Sequence, residues 1–228
     1  MNQVAGPGDA AQRLLTLSDG VFAIALTLLV LDISVPEDLD ARQYGEALRE
    51  TTTQLWSYFL SFVIIAAFWR EHQNIFSTVR RVGSTEIHLT LLGLALVALL
   101  PFPTSLLSDY SEHSTTVALY SANVAATEAV LMLLWHVVWS REEVRRQPGR
   151  TAVRRASVMD AAPLVVVFAA AVPVAFLSPA VAMWLWACLI PLKMATGRRA
   201  HRAWRELRRD PDGEPDQRDG GARHERRG

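Results

Sequence analysis

The chain of 228 residues has one cysteine, Cys188, and one lysine, Lys193, and its formal charges cancel. A single cysteine excludes an intrachain disulfide framework and a zinc site built from cysteine pairs. The sequence also lacks a glycine-rich phosphate loop, a His-Glu-x-x-His zinc motif and a Gly-x-Ser-x-Gly nucleophile elbow. We therefore predict that the protein is not an enzyme, with no bound metal, no cofactor and no small-molecule substrate.

A cleavable signal peptide is also not evident at the N-terminus. The stretch before Leu14 carries little positive charge, and the apolar run that follows is longer than the core of a signal peptide. We predict that this run is retained as the first membrane span.

Half of the residues are hydrophobic, and most of them lie in six long runs. A hydrocarbon core of about 30 Å needs roughly 20 apolar helical residues, and these runs are close to that length. Helices that are apolar on all faces must be buried all round, and six of them cannot hide one another in water. The predicted fold is an all-α integral membrane protein with spans at 14–35, 54–75, 86–107, 116–139, 157–177 and 180–197.

Arginine is distributed unevenly between the connecting segments. The 35–53 and 108–115 segments are rich in acids, whereas the 140–156 segment and the tail are rich in arginine. Because basic residues stay on the cytoplasmic side, we predict that both termini lie on the cytoplasmic side of a bacterial inner membrane. This asymmetry also accounts for the basic loops without nucleic-acid binding.

The same distribution divides the chain into three parts. We predict a cytoplasmic N-terminus at 1–12, a six-helix transmembrane domain at 13–197 and a disordered, charged cytoplasmic tail at 198–228. Tryptophans near the span ends are predicted to form interfacial belts; they are Trp56, Trp135, Trp139, Trp184 and Trp186.

Polar side chains stand at the start of the first span, where Arg13, Ser18 and Asp19 precede the run VFAIALTLLVLDI. Charge at such a position is expensive and usually functional. From the residues alone, Ser18 and Asp19 are also compatible with a helix N-cap, and Arg13 with a simple positive-inside anchor.

An apolar stripe runs along the same span. At 100° per residue, Ile24, Leu28 and Leu31 fall within about 60° of one another, and Thr27 lies about 60° to one side. Ser18 and Asp19 point about 120–140° away from Ile24. By spacing alone, this stripe is compatible with contact to lipid, with helix packing or with the lining of a pore.

Three segments together resemble the TMEM175 family of potassium channels. Its signature is an Arg followed four residues later by Phe-Ser-Asp, and here Leu17 takes the Phe position. SYFLSFVIIAAFWREHQNIF (57–76) resembles the family's second helix, and LLGLALVALLPFPTSLL (91–107) resembles its third. The likeness extends over roughly residues 12–197.

The resemblance implies a homotetramer in a lipid bilayer, in which four copies of the first helix line a pore for K⁺. Bulky apolar residues of that helix form the constriction in the family. On this chain they would be Ile24, Leu28 and Leu31, with Ile24 as the narrowest ring. Thr27 would supply a hydroxyl beside the constriction.

The resemblance also gives the polar residues a structural role. Arg13, Ser18 and Asp19 would form a network with Trp69 and His72 that joins the first helix to the rest of the bundle. In that case these residues support the pore and do not coordinate ions.

Two other classes of function remain open from the sequence. A proton-coupled secondary transporter or proton-leak channel would use the intramembrane carboxyls of Glu128 and Asp19, and a membrane scaffold would conduct nothing. Glu128, near the middle of the fourth span, is either a protonated or paired group that stabilises the bundle, with Asn123 or His136 as conceivable partners, or part of a proton relay. We see no internal repeat of the kind that many transporters have.

Overall fold

The computed structural model describes residues 7–31, 33, 40–77, 82–140 and 150–186. All regular secondary structure in these ranges is helical, which confirms the all-α prediction for them. The helices are α1 Pro7–Leu31, α2 Ala41–Phe76, α3 Ser84–Leu99, α4 Pro101–Asp109, α5 Ser114–Ser140 and α6 Arg150–Leu177. Residues 179–186 are also helical and are called α7.

Three segments of the described chain are long and apolar enough to cross a membrane, and they correspond to the first, third and fourth predicted spans. They are Ala11–Leu31, Ser84–Asp109 and Ser114–Ser140. The fifth predicted span corresponds to a shorter apolar stretch of α6, Ala162–Leu177. The second lies within the longer α2. Most of the sixth span, at 187–197, and the predicted tail at 198–228 lie outside the described residues.

Two predicted loops are partly helical. Helix α2 begins at Ala41, inside the predicted 35–53 loop, and α6 begins at Arg150, inside the predicted 140–156 loop. An apolar run marks only the part of a helix that lipid or protein surrounds. Once a helix is formed, each further residue adds one backbone hydrogen bond, so the helix can continue through polar sequence.

The predicted third span, 86–107, is a pair of helices separated at Leu100. Helix α3 ends one residue before Leu100, and α4 begins at Pro101. Proline has no N–H, and its ring clashes with the carbonyl four residues back, so Pro101 and Pro103 interrupt the helical ladder. The Leu100 N–H donates instead to Val97 O at 3.1 Å.

Helix α1 packs against both α2 and α3, while α5 packs against α3 and most extensively against α6. Gly93 lies where α3 meets α5, and a Cβ at this position would be 3.5 Å from Val130 Cγ1. A small residue at such a contact lets two membrane helices approach closely. Helix α5 is therefore the element that connects the α1–α3 group to α6.

Aromatic rings join α7 to α5 and α6. Trp186 is stacked on Phe168 at 5.7 Å between ring centroids, and its ring lies 5.1 Å from that of Tyr120. Trp135 and Trp139 stack on each other at 4.8 Å. Because these three tryptophans are buried within the chain, the interfacial-belt prediction is wrong for them, although Trp56 and Trp184 are exposed.

Three buried hydroxyls form a chain from α5 through α2 to α4. Thr104 Oγ1 donates its proton to Leu100 O at 2.8 Å. Ser61 must therefore donate to Thr104 Oγ1, 2.9 Å away, because a threonine hydroxyl has one proton. The Tyr120 hydroxyl then donates to Ser61 Oγ at 3.0 Å. The chain ends on the carbonyl of Leu100 and fixes the interrupted span to its two neighbours.

We expect Tyr120→Phe to lower the stability of the protein by about 1 kcal/mol, the net contribution of one neutral hydrogen bond. Phenylalanine keeps the ring contact with Trp186, and Ser61 can still donate to Thr104. Thermal unfolding of the detergent-solubilised protein measures the effect. Tyr110→Phe makes the same change at an exposed tyrosine and should leave the melting temperature unchanged. Equal melting temperatures for both variants would show that the hydroxyl chain does not stabilise the fold.

Candidate functional site: the first helix and its polar contacts

Helix α1 has one face buried in the bundle and another left exposed. Phe22, Ala25 and Leu29 are buried at the helical spacing of three and four residues. The stripe predicted from the sequence lies on the exposed face, with exposed fractions of 60% for Ile24, 40% for Leu28 and 73% for Leu31. We call these three residues the α1 stripe. Among the described helices of one chain, none buries it, so it is available to lipid or to another subunit.

Thr27 lies beside the α1 stripe and is also exposed. Its Oγ1 donates to the backbone O of Ile24 at 2.9 Å. The hydroxyl proton is therefore used within the helix, and the oxygen keeps its lone pairs as an acceptor. This geometry suits Thr27 to face a cation rather than to donate to an anion.

The buried polar contact of α1 is made by Ser18, whose Oγ donates to Leu14 O at 2.8 Å. The same oxygen lies 3.5 Å from His72 Nε2 on α2. Because the serine proton is already used, this long contact requires the histidine proton on Nε2. The His72 ring lies between Phe22 and Phe76, with centroid distances of 5.8 and 4.7 Å. Ser18 and His72 thus join α1 and α2 inside an apolar layer.

The second polar contact of α1 is made by Asp19. Trp69 Nε1 donates to Asp19 Oδ1 at 2.8 Å, and Gln73 Nε2 donates to the same oxygen at 2.5 Å. Trp69 and Gln73 are four residues apart, so they share one face of α2. Asp19 Oδ1 therefore accepts two hydrogen bonds from α2, one for each of its lone pairs.

The helix-cap alternative for Ser18 and Asp19 does not fit the structure. Helix α1 begins at Pro7, so both residues lie well inside the helix, where the backbone N–H groups are already bonded. Their side chains instead contact α2, as described above.

The structure brings four of the five predicted network residues together, namely Ser18, Asp19, Trp69 and His72. Arg13 is exposed near the start of α1. Within the described part of the chain, no hydrogen bond or ion pair joins Arg13 to the other four. The positive-inside interpretation of Arg13 is therefore compatible with its position.

Sequence reasoning missed Gln73. A signal was present, because Gln73 follows Trp69 by four residues and therefore lies on the same face of α2. The resemblance pointed to Trp69 and His72 only, and it gave no role to the uncharged side-chain amide of Gln73.

Neither a metal site nor a cofactor pocket is visible in this region. Within the described residues, no group of three or more His, Cys, Asp or Glu side chains could hold a metal ion. One small cavity, of about 10 Å³, is lined by residues that include Phe22, His72, Thr90 and Thr127. It has room for a single water molecule at most, far less than a small-molecule site needs.

Glu128 is fully buried on α5. Of the two partners considered from the sequence, His136 is exposed, whereas Asn123 is buried on the same helix. Asn123 O accepts a hydrogen bond from Thr127 Oγ1 at 2.9 Å. A buried carboxyl in a membrane helix is expensive, and Glu128 shares this burial with Glu86 on α3, which is 2% exposed.

A family model described as the endosomal/lysosomal potassium channel TMEM175 matches residues 13–101. This range begins at Arg13 and ends at the proline that opens α4, so it contains most of α1, all of α2 and α3, and every residue of the polar contacts between α1 and α2. This part of the chain is similar to the TMEM175 family.

Individual relatives agree with this similarity. A Streptomyces collinus protein named a potassium channel is 37% identical over 127 residues, which cover 54% of this chain and 62% of the relative. A Gallus gallus protein named endosomal/lysosomal proton channel TMEM175 is 36% identical over 111 residues, which cover 45% of this chain and 22% of the relative. The matched part thus spans less than two thirds of the length of the curated relatives.

A solved structure extends the likeness to the whole bundle. The crystal structure of a lysosomal potassium-selective channel TMEM175 homolog from Chamaesiphon minutus has a TM-score of 0.68 and 29% identity. The match covers 84% of this chain and 98% of that one. Together with the apolar helices, these similarities identify the chain as a membrane protein.

We expect Asp19→Ala to lower the yield of folded protein, because Trp69 Nε1 and Gln73 Nε2 both lose their acceptor. Both contacts lie at the exposed edge of α2, where the loss of a hydrogen bond costs about 1 kcal/mol. Size-exclusion chromatography and thermal unfolding in detergent measure the effect. Asp109→Ala removes an exposed carboxylate at the end of α4 and should behave as wild type. Normal folding of Asp19→Ala with altered ion selectivity would instead place Asp19 in the ion path.

Proposed function

We propose that this chain is the subunit of a homotetrameric, potassium-permeable cation channel of a bacterial inner membrane. The observation that carries the proposal is the exposed α1 stripe, which polar contacts to α2 hold away from the core. Relatives named potassium channels share the segment that contains it. A closed ring of identical subunits would give each α1 stripe the same neighbours around one axis.

The proposed topology has six spans and both termini in the cytoplasm. The Chamaesiphon minutus channel matches 84% of this chain, which is more than the three longest apolar helices account for. The arginine-rich 140–156 segment supports the orientation. In this arrangement 1–12 is a cytoplasmic N-terminus, 13–197 is the channel domain and 198–228 is a cytoplasmic tail.

The proposed pore is lined by the α1 stripe, with Ile24 at the narrowest ring. A constriction of apolar side chains controls ions by dewetting, since an ion must shed water to pass a ring that cannot hold it. The acceptor oxygen of Thr27, one residue before Leu28, lies beside this barrier. No cofactor takes part, and K⁺ is the permeant ion.

Selectivity in this mechanism is moderate. The sequence has no segment like the carbonyl filter of common potassium channels, which replaces the hydration shell of the ion with backbone oxygens. Discrimination therefore depends on the width of the α1 ring and on hydroxyl oxygens such as that of Thr27.

Potassium flux in reconstituted liposomes tests the function itself. A channel passes K⁺ down its own gradient without a proton gradient, and it does so faster than a carrier can cycle. Flux that requires a proton gradient would favour a transporter, and absence of any flux from correctly folded protein would favour a scaffold.

We expect Ile24→Asn to raise conductance and to weaken discrimination between K⁺ and Na⁺, because a polar ring lowers the dewetting barrier. Val30→Asn is the matched control. Val30 is also exposed on α1, but it lies about 120° from Ile24 on the helix. Single-channel recording in planar bilayers measures both quantities. Unchanged currents in Ile24→Asn would remove this residue from the pore.

A second candidate function is proton conduction. Two observations favour it: the buried carboxyl of Glu128 within a membrane helix, and the family relative named a proton channel. A carboxyl at such a depth can exchange protons where few other groups titrate. In our preferred mechanism Glu128 instead stabilises the packing of α5.

We expect Glu128→Gln to leave both potassium flux and pH-driven flux nearly intact, because glutamine keeps the size of glutamate and much of its hydrogen bonding. Both fluxes are measured in the same liposomes, with the exposed Glu112→Gln as the control. Glutamine cannot titrate. Loss of pH-driven flux with potassium flux spared would therefore assign proton conduction to Glu128.

A further inference from the structure

We infer that Gln73 is a positioning residue that, together with Trp69, fixes the rotation of α1 about its own axis and so sets which side chains α1 presents to the pore. The inference rests on the proposed function where it takes α1 as the lining of a pore. The contact between Gln73 and Asp19 and its effect on α1 are tested separately. Gln73 lies on α2 and does not itself face the ion path.

The two polar contacts of α1 leave the helix in different directions. Ser18 and Asp19 are consecutive, so their side chains diverge by about 100° around α1. Ser18 meets His72 in the buried layer, and Asp19 meets the exposed edge of α2. A single contact would let α1 roll about it, whereas two contacts in different directions do not.

Gln73 adds a second donor to the Asp19 side of this pair. The contact between Ser18 and His72 is long, at 3.5 Å. The Asp19 carboxylate is held instead by two donors that lie one helical turn apart on α2. With Trp69 alone, the carboxylate could pivot around the indole N–H. With Gln73 on the same oxygen, Asp19 is held between two points about 6 Å apart along α2.

A change in the roll of α1 has a direct consequence for the proposed pore. Ile24 is 60% exposed, while the next residue, Ala25, is 1% exposed. These neighbours diverge by about 100° around the helix. Even a partial roll therefore moves Ile24 away from its position and brings Ala25 towards the surface.

A donor–acceptor exchange tests the inference with the full chain. In Gln73→Glu, two carboxylates face each other and the contact is lost. In Asp19→Asn combined with Gln73→Glu, the asparagine amide donates to the new carboxylate, and its oxygen still accepts from Trp69. Gln12→Glu, at an exposed position of α1, controls for the added charge.

The first measurement is the ratio of K⁺ to Na⁺ flux in liposomes, normalised to folded protein. We expect Gln73→Glu to change this ratio or the K⁺ flux by about tenfold, within the range of coupling between directly bonded residues. In the double variant, the flux and the flux ratio should return towards the wild-type values. Gln12→Glu should give the wild-type values. Unchanged flux in Gln73→Glu, or a double variant no better than the single one, would overturn the inference.

The second measurement reports the roll of α1 without ion flux. Ala25→Cys is placed in a Cys188→Ala background, so that maleimide labels one position in each protein. We expect this thiol to be protected with the native Asp19–Gln73 pair, labelled with Gln73→Glu and protected again in the double variant. If this pattern holds while the wild type passes no ions, the channel proposal fails and the positioning role of Gln73 stands. If labelling is the same in all three, the positioning role fails.

Discussion

The orientation of α1 depends on a small number of hydrogen bonds that it makes to α2. Burial of Phe22, Ala25 and Leu29 packs one face of α1 against the rest of the bundle. The bonds from Trp69 and Gln73 to Asp19 are directional. Together with the buried apolar residues, these bonds leave the α1 stripe on the outside of the chain.

The need for a partner within the protein also applies to other polar groups of the bundle. In a membrane, a polar group that leaves water must find its partner in the protein. The hydroxyls of Tyr120, Ser61 and Thr104 meet this requirement in series, and the series ends where two prolines interrupt the third span. Side chains from two other helices thus support the point where the backbone hydrogen bonds of the third span are interrupted. The interruption at Leu100 is a supported feature of the fold.

Much of this arrangement could be predicted from the sequence, and the failures have physical causes. The all-helical fold follows from the length of the apolar runs and the α1 stripe from the spacing of its residues, and both are local properties of the chain. The start of α2 at Ala41 was missed because hydrophobicity reports the surroundings of a helix and not its ends. Gln73 was missed because its partner, Asp19, is 54 residues away, and the spacing of Gln73 from Trp69 shows only that both lie on one face of α2.

Helix α2 contains 36 residues, so it is about 54 Å long, while the hydrocarbon layer that it would cross is only about 30 Å thick. An uninterrupted helix of this length acts as a stiff rod. Trp69 and Gln73 lie near one end of the rod, and Ala41 is at the other. Because the helix is continuous, a tilt imposed near Ala41 also moves the residues that hold Asp19, which couples the two ends of α2 mechanically.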